Sequence, residues 1–185
     1  MNVYSIKVDV NNYQWISPVI KDGSILDYTV FNCQKKEKNL SEIEWYSINP
    51  NSKEGNFYSL GSNGAFAFDD KVYNSDLLSI FEMAGEVIPI KVKNKKLYVL
   101  NVLECMNCLN EELSEWEIYS DGSRGRILSY SFLRSRICES SIFKIPQTQK
   151  GEVLTYTGIK EKSDEFMSLY QSLNFEGLVF DKLTL

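Results

Sequence analysis

An apolar hairpin in the middle of the chain constrains the fold more than any other feature. Val87 to Val92 and Leu97 to Leu103 are apolar runs, and the polar stretch Lys93-Asn94-Lys95-Lys96 separates them. Two short apolar runs joined by a polar turn predict a pair of antiparallel strands. The chain therefore predicts a sheet in which sequence neighbours pair directly, without a crossover helix between them.

Further strands are predicted on both sides of this hairpin. Residues 3 to 10 alternate between apolar and polar side chains, which predicts a half-buried strand. Its apolar face would carry Tyr4, Ile6, Val8 and Val10, and its polar face Ser5, Lys7 and Asp9. Other apolar segments predict strands at Ile127 to Leu133, Ile142 to Ile145, Val153 to Tyr156 and Leu178 to Phe180. Residues 11 to 64 indicate loops and short strands, with one short element at Leu40 to Tyr46.

Two helices are predicted from their caps and their apolar spacing. The first begins at Asn74-Ser75-Asp76, where a side chain accepts from a free backbone N–H, and ends at Gly85 in a left-handed cap. Its apolar face is formed by Leu77, Ile80, Phe81 and Ala84. The second begins at the cap Ser163, carries Asp164-Glu165 in its first turn and ends at Asn174. Its apolar face is formed by Phe166, Leu169, Tyr170 and Leu173.

Strands therefore outnumber helices, and strand–helix–strand repeats are few. This pattern is typical of the α+β class, with a mostly antiparallel sheet and a few helices packed on it. A chain of 185 residues is comfortable for one domain and tight for two. No internal repeat or linker divides it, so residues 1–185 are predicted to form a single domain.

Composition narrows the function classes. The net charge is −5, whereas a general nucleic-acid binder normally has a basic surface, so we expect no nucleic-acid partner. A mildly acidic protein is better suited to a basic protein partner. The chain has no histidine, which excludes Ser-His and Cys-His nucleophile pairs and any metal site that needs imidazole.

The N-terminal region predicts a cytoplasmic protein. Residues 1 to 7 do not show a basic region followed by an apolar segment, so no secretory signal is expected. No apolar run approaches the roughly 18 residues that a bilayer-spanning helix needs, so no membrane association is expected. In the cytoplasm the four cysteines would be reduced.

The segment Cys105-Met106-Asn107-Cys108 admits three interpretations. It would be a redox pair if a helix N-terminus lowered the pKa of one thiol, or it would form a zinc site together with Cys33 and Cys138. Four-cysteine zinc sites usually consist of two close pairs, and the residues Asn110 to Glu112 are too acidic to favour a thiolate. The third interpretation, small buried side chains, is preferred, and neither a metal nor a cofactor is expected.

The arginines are unusually clustered. The chain has four, and Arg124, Arg126, Arg134 and Arg136 all lie within one short stretch. A guanidinium group recognises carboxylate or phosphate through two parallel hydrogen bonds, so the cluster would serve an anion or partner site. If Arg134 and Arg136 lay in a strand, they would share one face. The favoured interpretation is internal ion pairing with nearby acidic residues, namely Glu111, Glu112, Glu115, Glu117 and Asp121.

The acidic run from Glu111 to Asp121 surrounds two aromatic residues, Trp116 and Tyr119. Nothing in its spacing selects a catalytic pair of carboxylates, and a solvated face is the simplest interpretation. A partner-facing patch is the alternative, because aromatic anchors ringed by charge resemble the hot spots of protein interfaces. The candidate partner-binding residues are Glu111, Glu112, Glu115, Trp116, Glu117, Tyr119, Arg124, Arg126, Arg134 and Arg136. No residue is predicted to be catalytic.

The order and spacing of several segments resemble a family of bacterial immunity proteins. The resembling segments are Val3-Tyr4, Ser75 to Leu78, Glu86 to Ile90, Leu97 to Val102, Cys108-Leu109-Asn110, Ser114-Glu115, Ile142-Phe143-Lys144 and Gly177 to Phe180. The family is immunity family eleven, formerly a domain of unknown function, whose members are found beside polymorphic toxins. The resemblance is strongest over residues 66–183, and residues 11 to 64 match no pattern of the family. Family members often have Asp or another small residue near the position of Cys108.

The resemblance implies a non-enzymatic cytoplasmic immunity protein that binds and neutralises a cognate toxin domain, without cofactor or catalytic residues. An acidic surface would suit a basic toxin such as a nuclease. The rival hypothesis is a small phosphate- or nucleotide-handling enzyme that uses the Arg124–Arg136 cluster for phosphate and the carboxylates of Glu111 to Glu117 for a metal. A thiol-redox or zinc module is a third hypothesis.

Overall fold

The computed structural model describes residues 1–19, 31–36, 40, 43–61, 64–93, 95–137 and 139–183. Within these ranges the strands are β1 (Asn2–Val8), β2 (Ile16–Pro18), β3 (Glu44–Ser47), β4 (Phe57–Ser59), β5 (Ala65–Phe68), β6 (Gly85–Val92), β7 (Lys95–Val102), β8 (Glu115–Ile118), β9 (Arg124–Ser129), β10 (Ile142–Phe143), β11 (Val153–Thr157) and β12 (Leu178–Lys182). The helices are α1 (Asp70–Tyr73), α2 (Leu77–Ala84) and α3 (Phe166–Ser172). The predicted α+β class is confirmed. No helix in the described ranges is long and apolar enough to cross a membrane.

The predicted apolar hairpin forms the centre of a six-stranded sheet. Strands β6 and β7 pair antiparallel along their whole length, with Val87 opposite Leu100 and Ile90 opposite Leu97. The strand order is β2-β3-β6-β7-β5-β4, and only the β3–β6 pair within this sheet is parallel. The hairpin prediction is thus confirmed. One residue of its predicted turn, Asn94, lies outside the described ranges, as do residues 41 and 42 of the element predicted at Leu40 to Tyr46.

A second sheet contains four antiparallel strands in the order β10-β11-β1-β12. The strand predicted near the N-terminus is present as β1, but it is not half-buried. Val3 packs into a cluster on one face of this sheet, whereas Ile6 packs into a different cluster on the other face. Strand β1 lies between β11 and β12 and has core on both faces, so alternation of polar residues did not predict its burial.

The main core lies between the two sheets and is rich in aromatic side chains. Helices α2 and α3 fill the space. The predicted apolar face of α2 is confirmed, since Leu77, Ile80, Phe81 and Ala84 are buried. The predicted face of α3 is confirmed for Phe166 and Tyr170 but is wrong for Leu173, which follows the helix and is 36% exposed. The Phe166 ring lies 6.5 Å from that of Phe57, 5.6 Å from Phe81 and 6.0 Å from Phe180. One helix thereby contacts aromatic residues of both sheets.

Each sheet also has a core on its other face. Trp45, Tyr58 and Val99 belong to a cluster on the outer face of the six-stranded sheet. Leu154 and Tyr156 belong to a cluster on the outer face of the four-stranded sheet, which is covered by residues 106–109 and by the two-stranded sheet β8–β9.

The helix boundaries differ from prediction at three points. Asp69 caps α1, which the sequence did not predict, by accepting from the backbone N–H of Val72 at 3.0 Å. Gly85 does follow α2, but its φ of 171° is extended, so the predicted left-handed cap is wrong. Ser163 does not cap α3, because residues 162–164 form a separate 3-10 turn before the helix starts at Phe166.

The buried carboxylate of Glu165 explains this late start of α3. It accepts from the backbone N–H groups of Ile159 at 3.0 Å and Lys160 at 3.2 Å, and from the hydroxyl of Ser168 at 3.1 Å. These bonds hold the preceding loop against the helix start. The predicted end is confirmed, since Asn174 follows the helix with a left-handed φ of 54°.

Candidate functional site

The acidic run and two of the four arginines form the antiparallel hairpin of β8 and β9. Trp116 lies opposite Ile127, and the register shifts on both sides of Trp116. Asp121 closes the turn by accepting from the backbone N–H of Ser123 at 2.9 Å and from its hydroxyl at 2.6 Å. These hydrogen bonds from Ser123 lower the pKa of Asp121.

The two faces of this hairpin have different surroundings. Trp116 and Ile127 pack against the core on the outer face of the four-stranded sheet. Leu113, Ile118 and Leu128 are 72%, 60% and 55% exposed, the highest values for large apolar side chains among the described residues. Ile118 is only two positions after Trp116, and the register shift between them lets it face solvent instead of the core. We refer to Leu113, Ile118, Tyr119 and Leu128 as the hairpin surface.

Tyr119 is the aromatic member of the hairpin surface and is 53% exposed. Its ring lies directly over Gly125, where an added Cβ would be 2.8 Å from the ring carbon that carries the hydroxyl. Its backbone N–H donates to Ser123 O at 2.9 Å. The ring is therefore held in place by the turn, although half of it faces solvent.

Charged groups surround the hairpin surface. Residues 111–126 contain five carboxylates and two guanidinium groups. Arg124 lies 3.1 Å from Glu111 and Arg126 lies 3.4 Å from Glu117, so internal ion pairing is confirmed for these two arginines. The Arg124 guanidinium also lies 5.1 Å from the centre of the Trp116 ring. Because the pairs are exposed, they contribute little to stability and mainly order the side chains.

Arg134 and Arg136 are not in a strand, so the condition under which they would share one strand face is not met. Strand β9 ends at Ser129, and residues 134–136 form an exposed 3-10 turn in which the backbone N–H of Ile137 donates to Arg134 O at 3.2 Å. The four arginines therefore belong to two different elements, the hairpin and this turn. Arg136 donates to Asn107 O at 3.5 Å.

Gln147 connects this turn to the hairpin. Its side-chain N–H groups donate to Asn107 Oδ1 at 3.0 Å and to Glu111 Oε1 at 2.9 Å, and the other oxygen of Glu111 accepts from Arg124. Glu112 and Glu115 are exposed beside these groups. The ten candidate residues thus lie on the hairpin or on the turn linked to it. Sequence reasoning missed Leu113, Ile118 and Leu128, and for Ile118 the reason is that a register shift has no sequence signal.

The cysteine segment is arranged differently from the predicted pairs. Cys108 is fully buried in the apolar cluster behind the hairpin, as the preferred interpretation expected. Cys105 and Cys33 are only partly buried and their thiols are hydrogen-bonded to each other. The four-cysteine zinc hypothesis includes Cys138, which lies outside the described residues. Elsewhere in the chain, no three Cys, Asp or Glu side chains of the described ranges converge into a group that would hold a metal ion.

A buried lysine lies beside this thiol pair. Lys144 is fully buried, and its ammonium group donates to the carbonyl oxygen of Phe31. Burial lowers the pKa of Lys144 to about 8, and electrostatic interaction with the side chains of Cys33 and Cys105 opposes this shift. Burial and then the charge of Cys105 raise the pKa of Cys33 to about 11. Sequence reasoning gave no sign of this lysine's environment.

The lowered pKa of Lys144 predicts that the free energy of unfolding rises with pH around pH 8. The lysine has an ordinary pKa of 10.5 in the unfolded chain and about 8 in the folded protein, so above pH 8 the unfolded state binds more protons. From pH 9 Cys33 acts in the opposite sense, because the folded thiol keeps its proton to about pH 11. We expect the free energy of unfolding to increase by about 1 kcal/mol between about pH 7.5 and 9 and then to level off, measured by urea titration.

Two variants separate these contributions. Lys144→Met should remove the increase in the free energy of unfolding below pH 9. Cys33→Ser should allow this increase to continue above pH 9. A Lys144→Met profile parallel to the wild-type profile would contradict the assignment to Lys144.

A polar cleft of about 560 Å³ lies between α1 and the β6–β7 hairpin. Its carboxylates make local structural bonds: Asp69 accepts from Asn56 Nδ2 at 2.9 Å, and Asp70 accepts from the Tyr98 hydroxyl at 2.9 Å. Lys95 forms an ion pair with Glu54 across the cleft. The bond between Asp70 and Tyr98 fixes α1 to β7, and the other two contacts hold residues 54–56 against α1 and the hairpin.

Comparison with known proteins does not assign a family. No protein-family model matches the chain, and no curated protein matches it. The resemblance to immunity proteins therefore rests on the residue segments given above. The hairpin surface is a structural feature that does not depend on this resemblance.

Proposed function

We propose that this protein is a non-enzymatic immunity protein that binds a cognate bacterial toxin domain in the cytoplasm and neutralises it through the hairpin surface. The observation that carries the proposal is the concentration of exposed apolar side chains on β8, β9 and their flanks. Three of them, Leu113, Ile118 and Leu128, are more exposed than any other large apolar side chain of the described residues. Keeping such groups in water is unfavourable unless a partner covers them.

The hairpin surface has the composition of an interface centre. Tyr119 supplies a large aromatic ring that the turn already holds in position, so little conformational entropy is lost when a partner packs on it. The same hairpin and its flank carry three further exposed apolar side chains together with five carboxylates and two guanidinium groups. This arrangement is typical of binding hot spots, in which a few desolvated anchors supply most of the affinity.

Charge indicates the chemistry of the partner. Carboxylates outnumber guanidinium groups around the hairpin surface, and both Arg124 and Arg126 are already paired with glutamates. The whole chain also has a net charge of −5. A basic toxin domain, such as a nuclease, would meet a complementary field that speeds association and disfavours acidic partners.

The rival hypothesis, a phosphate- or nucleotide-handling enzyme, needs guanidinium groups that converge on one anion. Arg124 and Arg126 lie on the hairpin, whereas Arg134 and Arg136 lie on a separate exposed turn. Arg124 and Arg126 are also paired with glutamates already, which does not favour a shared phosphate site.

The test uses the protein encoded by the reading frame immediately upstream. We expect co-expression of this chain to restore growth when that protein is toxic, and the purified proteins to bind. Tyr119→Ala should raise the Kd by about 30-fold, which corresponds to about 2 kcal/mol for the loss of an interface anchor. Calorimetric titration measures this change.

Met83→Ala is the matched control, because Met83 is also 53% exposed but lies on α2. We expect it to change the Kd by less than about twofold. Thermal unfolding of both variants should show that the fold is intact. Equal effects of the two substitutions would reject the hairpin surface as the interface, and failure to bind or to restore growth would reject the immunity function itself.

A further inference from the structure

The thiols of Cys33 and Cys105 meet although 71 residues separate them in the chain. Cys105 is placed by backbone bonds on both sides: Lys144 N–H donates to Glu104 O at 2.9 Å, and Met106 N–H donates to Lys144 O at 2.8 Å. Cys105 therefore forms an isolated parallel bridge with Lys144. These bonds fix Cys105 next to the buried amine.

Cys33 is placed by the anchoring of residues 31–36 on the six-stranded sheet. Asn101 Nδ2 donates to Gln34 O at 2.9 Å, and the backbone N–H of Lys36 donates to Glu86 Oε2 at 3.1 Å. The carbonyl oxygen of Phe31 accepts from the Lys144 ammonium, and the Phe31 ring is buried in the outer core of this sheet. Bonds on both sides of Cys33 thus hold it against Cys105.

We propose that Cys33 and Cys105 form a reversible disulfide when the protein meets a peroxide, and that this bond fastens residues 31–36 to the segment after β7. The proposal concerns a site separate from the hairpin surface and does not depend on the immunity function. It also differs from the Cys105–Cys108 pair that the sequence suggested.

The geometry assigns a role to each thiol. Cys33 holds its proton, because burial and the charge of Cys105 raise its pKa to about 11, and it donates a hydrogen bond to Cys105. We assign the first attack to the deprotonated sulfur of Cys105, because backbone bonds hold Cys105 next to the buried amine of Lys144. The Cys105 sulfur takes one oxygen from hydrogen peroxide, the O–O bond breaks and hydroxide leaves, which gives a sulfenic acid. Cys33 then attacks that sulfur, the S–O bond breaks and water leaves, which gives the disulfide.

Lys144 assists the first step electrostatically. Its ammonium group interacts electrostatically with the side chains of both cysteines, and a positive charge stabilises a reacting thiolate. The overall change is two thiols and one peroxide molecule giving one disulfide and two water molecules. Two electrons pass from the thiols to the peroxide.

The test is oxidation of the full reduced chain with hydrogen peroxide, followed by alkylation and non-reducing peptide mapping. We expect one cross-linked species that joins the Cys33 peptide to the Cys105 peptide and that dithiothreitol removes. The oxidised protein should also unfold at a higher temperature than the reduced protein, because the bond restricts the unfolded chain.

Three variants make the result specific. Cys33→Ser and Cys105→Ser should each abolish the cross-link, whereas Cys108→Ala should retain it. A cross-link from Cys105 to Cys108 or to Cys138 would overturn the proposal. Progress of Cys105 to sulfinic acid without any cross-link, in the folded wild-type chain, would overturn it as well.

Discussion

Replacing Phe166 with alanine is expected to lower the free energy of unfolding by about 4 kcal/mol. Phe166 is fully buried, and its ring contacts aromatic rings from both sheets and from α2. Its truncation leaves a cavity between the two sheets that the surrounding elements cannot fill without moving apart. Urea unfolding followed by far-UV circular dichroism and by tryptophan fluorescence measures the loss.

Leu173→Ala is the control for this prediction. Leu173 follows α3 directly and is 36% exposed, so we expect a loss below about 1 kcal/mol. The Phe166 experiment also tests the predicted single domain of residues 1–185. If the two sheets share one cooperative core, both probes should shift together in Phe166→Ala. A shift in one probe alone would indicate that the sheets unfold separately.

The sequence predicted those elements whose residues contact near neighbours in the chain. The β6–β7 hairpin, the apolar face of α2 and most of that of α3 follow from periodicity over a few turns or one strand length, and the structure confirms them except at Leu173. The acidic run with Trp116 and Tyr119 was likewise recognisable as a surface feature. Its role as a partner-binding surface stays a prediction.

Features that depend on distant residues could not be predicted. Burial of β1 on both faces requires β11 and β12, which come from the end of the chain. The contact of Cys33 with Cys105 requires Lys144 and Asn101 to fix two separate segments. Exposure of Ile118 requires a register shift in β8. None of these relations leaves a periodic signal.

Gly85 shows how a correct boundary can have a different cause. The sequence placed the end of α2 at this glycine and attributed it to a left-handed cap, but the φ of 171° is accessible to any residue. Glycine is required at this position because of its packing against β7 and the residues after it. A Cβ at this position would overlap the carbonyl oxygen of Asn101 and would lie 2.8 Å from the backbone nitrogen of Leu103. These neighbours are backbone atoms, which cannot move aside by a side-chain rotation. Only glycine, which has a hydrogen in place of Cβ, therefore fits at position 85.

Gly85→Ala is therefore expected to destabilise the protein by about 3 kcal/mol or more, through forced separation of β6 and β7 where they begin to pair. Gly122→Ala provides the contrast, because Gly122 has a left-handed φ of 82° with no atom near an added Cβ. Its cost is conformational only and should be about 1 kcal/mol. Urea unfolding of the two variants compares steric overlap with backbone strain. A smaller loss for Gly85→Ala than for Gly122→Ala would mean that β6 and β7 adjust easily, and the hairpin would then not be the rigid centre of the six-stranded sheet.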